Sequence, residues 1–297
     1  MKTNEQLDSK AGARMSSAAG VRSIGCVSFL NSKPLIDQVV HGPARDEADV
    51  QFAVPSRLLE LFETGEISTA LMSIVDYQAS REDLLLVPAG MIGCDGHTFT
   101  VRIFSKVPPE KIRAVYGDTD SHTSVLLGQV ILRERYGVTA PMLPLEAREG
   151  VHLGSTAPET ILLIGDKVVN ASPSDAAYPY QLDLGEEWKQ LTGLPFVFAM
   201  WMMRREAVEA DRPAADVVTR LLAEARRRGS EMTEELLDRY AAEKGWPRDL
   251  ARRYFTEYLR YEVTPRAREG LAKFFETAAR LGLLKLRREV AYLEVPA

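Results

Sequence analysis

From Ile24 onward, short apolar blocks alternate with stretches of helical spacing. Ile24-Gly25-Cys26-Val27-Ser28-Phe29 reads as a buried strand, and Leu30-Asn31-Ser32-Lys33 leads to a helix over Leu35 to Val40, with Pro34 suited to its start. Val50 to Ala53 is a second short strand. Pro55 then opens a helix that runs through Phe62 and closes at Gly65. Ile67 to Met72 is the next strand, followed by the turn Ser73-Ile74-Val75-Asp76-Tyr77. Further on, Ala114-Val115-Tyr116 enters the loop Gly117-Asp118-Thr119-Asp120-Ser121-His122-Thr123-Ser124, and a helical pattern leaves it from Val125 to Tyr136. This alternation predicts an α/β fold with mainly parallel pairing. The last third is mostly helical, over Ala214 to Arg228, Thr233 to Glu243 and Pro247 to Tyr258. Leu259 to Val263 alternates like a strand, and Thr264-Pro265 opens a helix whose Leu271, Phe274, Phe275, Ala278 and Leu281 share one apolar face.

Two extended apolar runs form a matched pair, Thr98 to Ser105 and Phe196 to Met202. Between them lies a stretch with its own strands, at Ala114–Tyr116 and Ile161–Ile164. We read the two runs as crossovers between lobes. Residues 21–105 with 196–297 then build one lobe and residues 106–195 an inserted second one, with residues 1–20 as a disordered tail. The alternative makes both runs core strands of a single sheet. Ligand sites favour the space between such lobes, at the carboxyl ends of strands.

Composition narrows the function classes. The chain has 297 residues, 45% of them hydrophobic, and a formal net charge of −5. No Lys/Arg block is interleaved with aromatics, so nucleic acid is not expected as a partner. Cys26 and Cys94 cannot form a secreted-type disulfide framework. His41, His97, His122 and His152 show no metal-ligand spacing, so no metal is expected. The polar first twenty residues hold no apolar core of a secretion signal, and the longest apolar stretch, Phe196 to Met203, is too short to span a bilayer. The expected location is cytoplasmic, without a membrane partner.

The chemistry-bearing residues sit in strand-to-helix turns. One turn holds Ser28 and Asn31, and a second holds Ser73 and Asp76. A third runs from Gly93-Cys94-Asp95-Gly96-His97 to Thr100, and the fourth is Ser121 to Ser124. A fifth candidate is Ile164-Gly165-Asp166-Lys167. Free N–H groups at a helix start, with the helix dipole behind them, suit an anion, although Ser121 or Thr123 could simply cap the helix. His97 and His122 are candidates for a general acid or base, or are polar loop residues. Asp166 could accept a ligand hydroxyl proton or cap its own turn. No nucleophile elbow, phosphate loop or dinucleotide fingerprint stands at any of these turns. The residues alone describe a cleft for a small, polar, anionic molecule, in either an enzyme or a binding protein.

Taken in order, Ser28-Phe29-Leu30-Asn31-Ser32-Lys33-Pro34-Leu35, Gly93-Cys94-Asp95-Gly96, Asp120-Ser121-His122-Thr123-Ser124, Ile164-Gly165-Asp166 and Thr192-Gly193-Leu194-Pro195-Phe196-Val197-Phe198-Ala199 resemble the chorismate dehydratases of the futalosine route to menaquinone. The resemblance implies a periplasmic-binding-protein-like type II fold of two α/β lobes around a ligand cleft. It also implies a hydro-lyase that removes water from chorismate, giving 3-[(1-carboxyvinyl)oxy]benzoate without a cofactor. By the family pattern Asn31 stands at the reacting part of the ring, with Thr100 as its partner where relatives usually carry Ser. Ser28, Ser73, Gly96 and Asp166 would border the substrate, and Ser121, His122, Thr123 and Ser124 would hold a carboxylate. Relatives often have Arg where His122 stands. Competing readings are the 1,4-dihydroxy-6-naphthoate synthase of the same pathway and a non-catalytic solute-binding protein. A ligand-sensing regulator is a third, but it lacks the expected DNA-binding helices. Oligomeric state is left open.

Overall fold

The computed structural model describes residues 22–118, 121–145 and 157–294, so the expected tail at residues 1–20 and Asp120 of the anion turn lie outside the described residues. Eleven strands occur among those residues: β1 Ser23–Cys26, β2 Asp49–Phe52, β3 Thr69–Ser73, β4 Leu84–Cys94, β5 Val101–Ser105, β6 Val115–Asp118, β7 Met142–Leu145, β8 Thr160–Ile164, β9 Tyr180–Asp183, β10 Phe196–Arg204 and β11 Leu259–Arg260. They form two sheets, ordered β11-β4-β10-β3-β1-β2 and β7-β6-β8-β5-β9.

The two sheets repeat one plan. In each, three strands pair in parallel, and the next strand inward runs antiparallel to its neighbours on both sides. That strand is β10 in the first sheet and β5 in the second, and each enters on the chain's passage from the other lobe. Parallel strands need crossover connections, usually helical, and these cover the sheet faces. β8, Thr-Ile-Leu-Leu-Ile, is buried at all five positions. Its Leu162 and Ile164 join the main core, while Ile161 and Leu163 pack with Phe104, Val168 and Tyr178 on the other face. Each such side chain contributes about 1.5–3 kcal/mol by leaving water.

Two expectations need correction. The first strand stops at Cys26, because the chain turns at Val27 into the short helix at Leu30–Ser32. Val101–Ser105, expected in the first lobe, pairs along its length with β8 and β9 and therefore belongs to the second sheet. The passage between sheets thus falls in residues 95–100. The sequence pattern also passed over β4, the longest strand. Pro88 and Gly90 break its alternation, and they sit in a bulge where the register against β10 jumps from Met91 to Val87.

Packing of the helices demands small residues at single points. The Lys33–His41 helix lies on the Arg212–Glu231 helix at Gly229, where a Cβ would stand 2.0 Å from the Pro34 carbonyl oxygen. No helix among the described residues is long and apolar enough to cross a membrane.

Candidate functional site

The turns named from sequence converge between the two sheets. Asn31 and Ser73 come from the first lobe, Ser121 and Ser124 from the second, and Thr98 and Thr100 from the passage between them. They line a pocket of about 620 Å³, its open mouth included, with an apolar floor that includes Val27, Leu71, Ile92, Ile164 and Phe198. Such a mixture of polar groups and apolar floor suits a small ligand. Among the described residues, none of those lining the pocket carries a full charge.

Thr100 is held by an unusual local fold. The Thr100 N–H donates to the Thr98 carbonyl at 2.8 Å, and the intervening Phe99 has φ 65°, alone among the described non-glycine residues in having positive φ. Such a γ-turn is strained and needs support from its surroundings. The Asp183 carboxylate supplies it by accepting the N–H of Thr98 at 3.0 Å and of Phe99 at 2.8 Å. The same carboxylate caps the Leu184–Thr192 helix through Gly185 and Glu186. The Phe99 ring stacks on Tyr258 at 5.6 Å, and the Arg102 guanidinium lies over it at 5.0 Å. On the far side, Gly165 donates its N–H to the Thr100 carbonyl at 2.8 Å. Its φ of 59° favours glycine at that strand end.

Sequence reasoning missed Tyr254. It lies in a π-helical turn, Tyr254–Tyr258, within the stretch read as an ordinary helix. It is 1% exposed and lines the pocket, with its hydroxyl 2.6 Å from Thr100 Oγ1. Burial pushes the Tyr254 phenol well above its usual range. Asn31 Oδ1 is buried without a hydrogen-bond partner among the described residues. Nothing in the sequence marks a π-turn, although such turns gather at functional sites.

The Ser121–Ser124 turn starts a fifteen-residue helix. Ser121 Oγ caps it by accepting the Ser124 N–H at 3.3 Å, and the two hydroxyls lie 3.0 Å apart. The N–H groups of His122 and Thr123 have no acceptor within the helix. The side chains of these two residues serve the lobe contact. His122 Nδ1 stands 2.6 Å from Asp76 Oδ1, and Thr123 Oγ1 accepts the Val75 N–H at 3.3 Å. The Asp76 carboxylate raises the His122 imidazole above its ordinary value, against the opposing effect of burial.

Three other expected site residues lie off the pocket lining. Ser28 is exposed beside the turn, and Gly96 sits against Glu186. Asp166 bridges the lobes instead. Its carboxylate accepts the Trp246 indole N–H at 2.9 Å and the Leu30 N–H at 3.4 Å. Burial raises its carboxyl above the usual value despite those bonds. His97, the other candidate acid or base, is likewise absent from the lining.

This architecture defines a two-lobed binding-protein-like class with its ligand pocket at the lobe junction. The alkanesulfonate-binding protein SsuA from Xanthomonas axonopodis pv. citri, solved with MOPS bound, has the same fold at TM-score 0.63 and 16% identity, covering 91% of this chain and 96% of its own. A Candida albicans protein described as having the generic periplasmic binding protein fold aligns at TM-score 0.65 and 10% identity, over 94% of this chain and 99% of its own. The chain belongs to the menaquinone biosynthesis family, whose profile it matches over residues 22–280. A relative from Thermus thermophilus, named chorismate dehydratase, is 32% identical over 241 residues, spanning 76% of this chain and 85% of the relative.

Proposed function

We propose that this protein is a chorismate dehydratase, a hydro-lyase of the futalosine route to menaquinone acting in the cytoplasm. The observation that carries the reading is the meeting of Asn31 and Thr100 at one pocket, in a chain 32% identical to a protein of that name. Loss of the ring hydroxyl, together with the hydrogen on the neighbouring ether-bearing carbon, makes the ring aromatic. Much of the driving force therefore resides in the substrate. The protein has to orient it and supply fixed dipoles.

Asn31 and Thr100 address the reacting carbon–oxygen bond. Asn31 is too weak a base to take the ring proton, so a substrate carboxylate or a water receives it. The open N–H groups at the helix start, with Ser121 and Ser124 beside them, hold a carboxylate. This assignment suits a pocket lined by neutral donors, because a helix N-terminus binds anions without a cationic side chain. Ser73 borders the ring. Thr123, His122 and Asp166 hold the lobes around the substrate rather than touching it. Residues 22–97 with 196–294 form one lobe, and residues 101–192 the other.

Incubation of the purified protein with chorismate tests this reading. Ring aromatisation followed by ultraviolet absorbance, with loss of water seen by mass spectrometry, is the expected result. Tight binding of unaltered chorismate would leave a solute-binding protein instead.

A further inference from the structure

Two features of the pocket lack an explanation in the reading above. Asn31 Oδ1 is a buried acceptor without a donor among the described residues, and such atoms are rare enough to demand a cause. Tyr254 places a phenol at 2.6 Å from the Thr100 hydroxyl, although no feature of the elimination calls for a phenol.

One hydrogen-bond pattern accounts for both. At 2.6 Å the phenol O–H of Tyr254, a stronger acid than an alcohol, donates to Thr100 Oγ1. Asn31 Oδ1, with no hydrogen-bond partner among the described residues, is kept for the ligand. With its oxygen receiving the phenol proton, Thr100 keeps its own O–H proton for the ligand. The site then offers one acceptor and one donor side by side, the complement of a single alcohol.

We propose that Tyr254 is a positioning residue that turns the Thr100 O–H toward the ligand, so that the leaving hydroxyl of the substrate accepts from Thr100 and donates to Asn31 Oδ1. This rests on the dehydratase reading and names the group that prepares Thr100. In the elimination the ring C–H bond breaks and its electron pair forms the new double bond. The C–O bond breaks with its pair going to oxygen, and the removed proton leaves with the hydroxide as water. No protein group changes charge. The Thr100 O–H, strengthened by the donor behind it, meets the negative charge that grows on the departing oxygen. Tyr254 stays neutral throughout, as suits a phenol whose ionisation is opposed by burial.

The ring of Tyr254 is fixed for this task. Trp246 stacks on it at 4.7 Å with 22° between planes, and the Trp246 indole is held by Asp166 from the other lobe. The hydroxyl direction is thereby tied to the contact between the lobes.

The test compares Tyr254→Phe, Thr100→Val and the double variant with the wild type on chorismate. Tyr254→Phe keeps the stacked ring and should lower kcat by at least about tenfold while KM moves less than about threefold, since the lost interaction acts in the transition state. The double variant should be no slower than Thr100→Val alone, to within about twofold, because Tyr254 acts through Thr100. Replacement of Tyr254 by 3-fluorotyrosine, which retains the hydroxyl, should recover turnover, and it carries the test if the Phe variant folds poorly. Wild-type kcat in Tyr254→Phe overturns the proposal, as do multiplied losses in the double variant or a fluorotyrosine enzyme as slow as the Phe variant. A wild type that binds chorismate without converting it overturns the dehydratase reading itself, a distinct outcome.

Discussion

His122 Nδ1 lies 2.6 Å from Asp76 Oδ1, joining the first helix turn of one lobe to the turn after β3 in the other. Asp76 is 1% exposed and the imidazole 44% exposed, so the pair is half wet. The Asp76 hydrogen bond raises the imidazole above its ordinary value of 6.5. Below that value the imidazole is charged in both folded and unfolded chains, and its full contribution is present. As pH climbs through the raised folded value the proton leaves and the contribution is lost. Wild type should therefore exceed His122→Ala in thermal midpoint at about pH 6 and lose that advantage by about pH 9. We expect a difference of no more than about 1 kcal/mol, because the exposed side of the ring is screened. A gap that is constant across this range would contradict the assignment.

Asn31→Ala and Thr100→Val should each reduce kcat by about 100-fold, the scale for losing a fixed donor or acceptor at a site of developing charge. Binding of chorismate should weaken far less. Thr100→Ser, which keeps the hydroxyl, should stay much faster than Thr100→Val. Steady-state kinetics with the aromatisation assay separates these outcomes, and wild-type rates in Asn31→Ala and Thr100→Val would remove both residues from the chemistry.

The limits of sequence reading are physical. Asn31, Ser73, Thr100 and Ser121, which line one pocket, stand out in the sequence because small polar residues between an apolar strand and a helix start leave a local mark. The two lobes were legible from the paired runs at Thr98 and Phe196, but which sheet takes Val101–Ser105 depends on partners some sixty and eighty residues away in β8 and β9. His122, Thr123 and Asp166 carry the right chemistry for ligands. Their partners in the structure lie 46, 48 and 136 residues distant, at Asp76, Val75 and Leu30, and no local pattern reports contacts at such separations. Tyr254 was hidden for another reason. Its approach to Thr100 depends on a π-turn that shifts the helix phase, and helical periodicity cannot report such a shift.

Ser121→Ala should act mainly on KM. The Ser121 hydroxyl caps the helix and lies at the pocket beside Ser124, while the elimination takes place nearer Asn31 and Thr100. A contact to a carboxylate that does not change during reaction is made equally in ground and transition states, so its loss raises KM and spares kcat. We expect a rise of about three- to tenfold, with about 1 kcal/mol of stability lost with the cap. A fall in kcat at unchanged KM would assign Ser121 to the chemical step.

Asp183→Ala should damage turnover from outside the pocket. The carboxylate accepts four N–H groups, from Thr98, Phe99, Gly185 and Glu186, and is largely buried. Its removal orphans those donors and should cost about 3 kcal/mol, since bonds to a charged acceptor are worth more than neutral ones. The left-handed Phe99 backbone then loses its support. A strain of about 1–3 kcal/mol favours relaxation of that turn, which carries Thr100 away from Tyr254. Both the thermal midpoint and kcat should fall. Adding Phe99→Gly relieves the strain, because glycine adopts positive φ freely, and should return part of kcat without returning the midpoint. Full turnover in Asp183→Ala would mean that the γ-turn does not position Thr100.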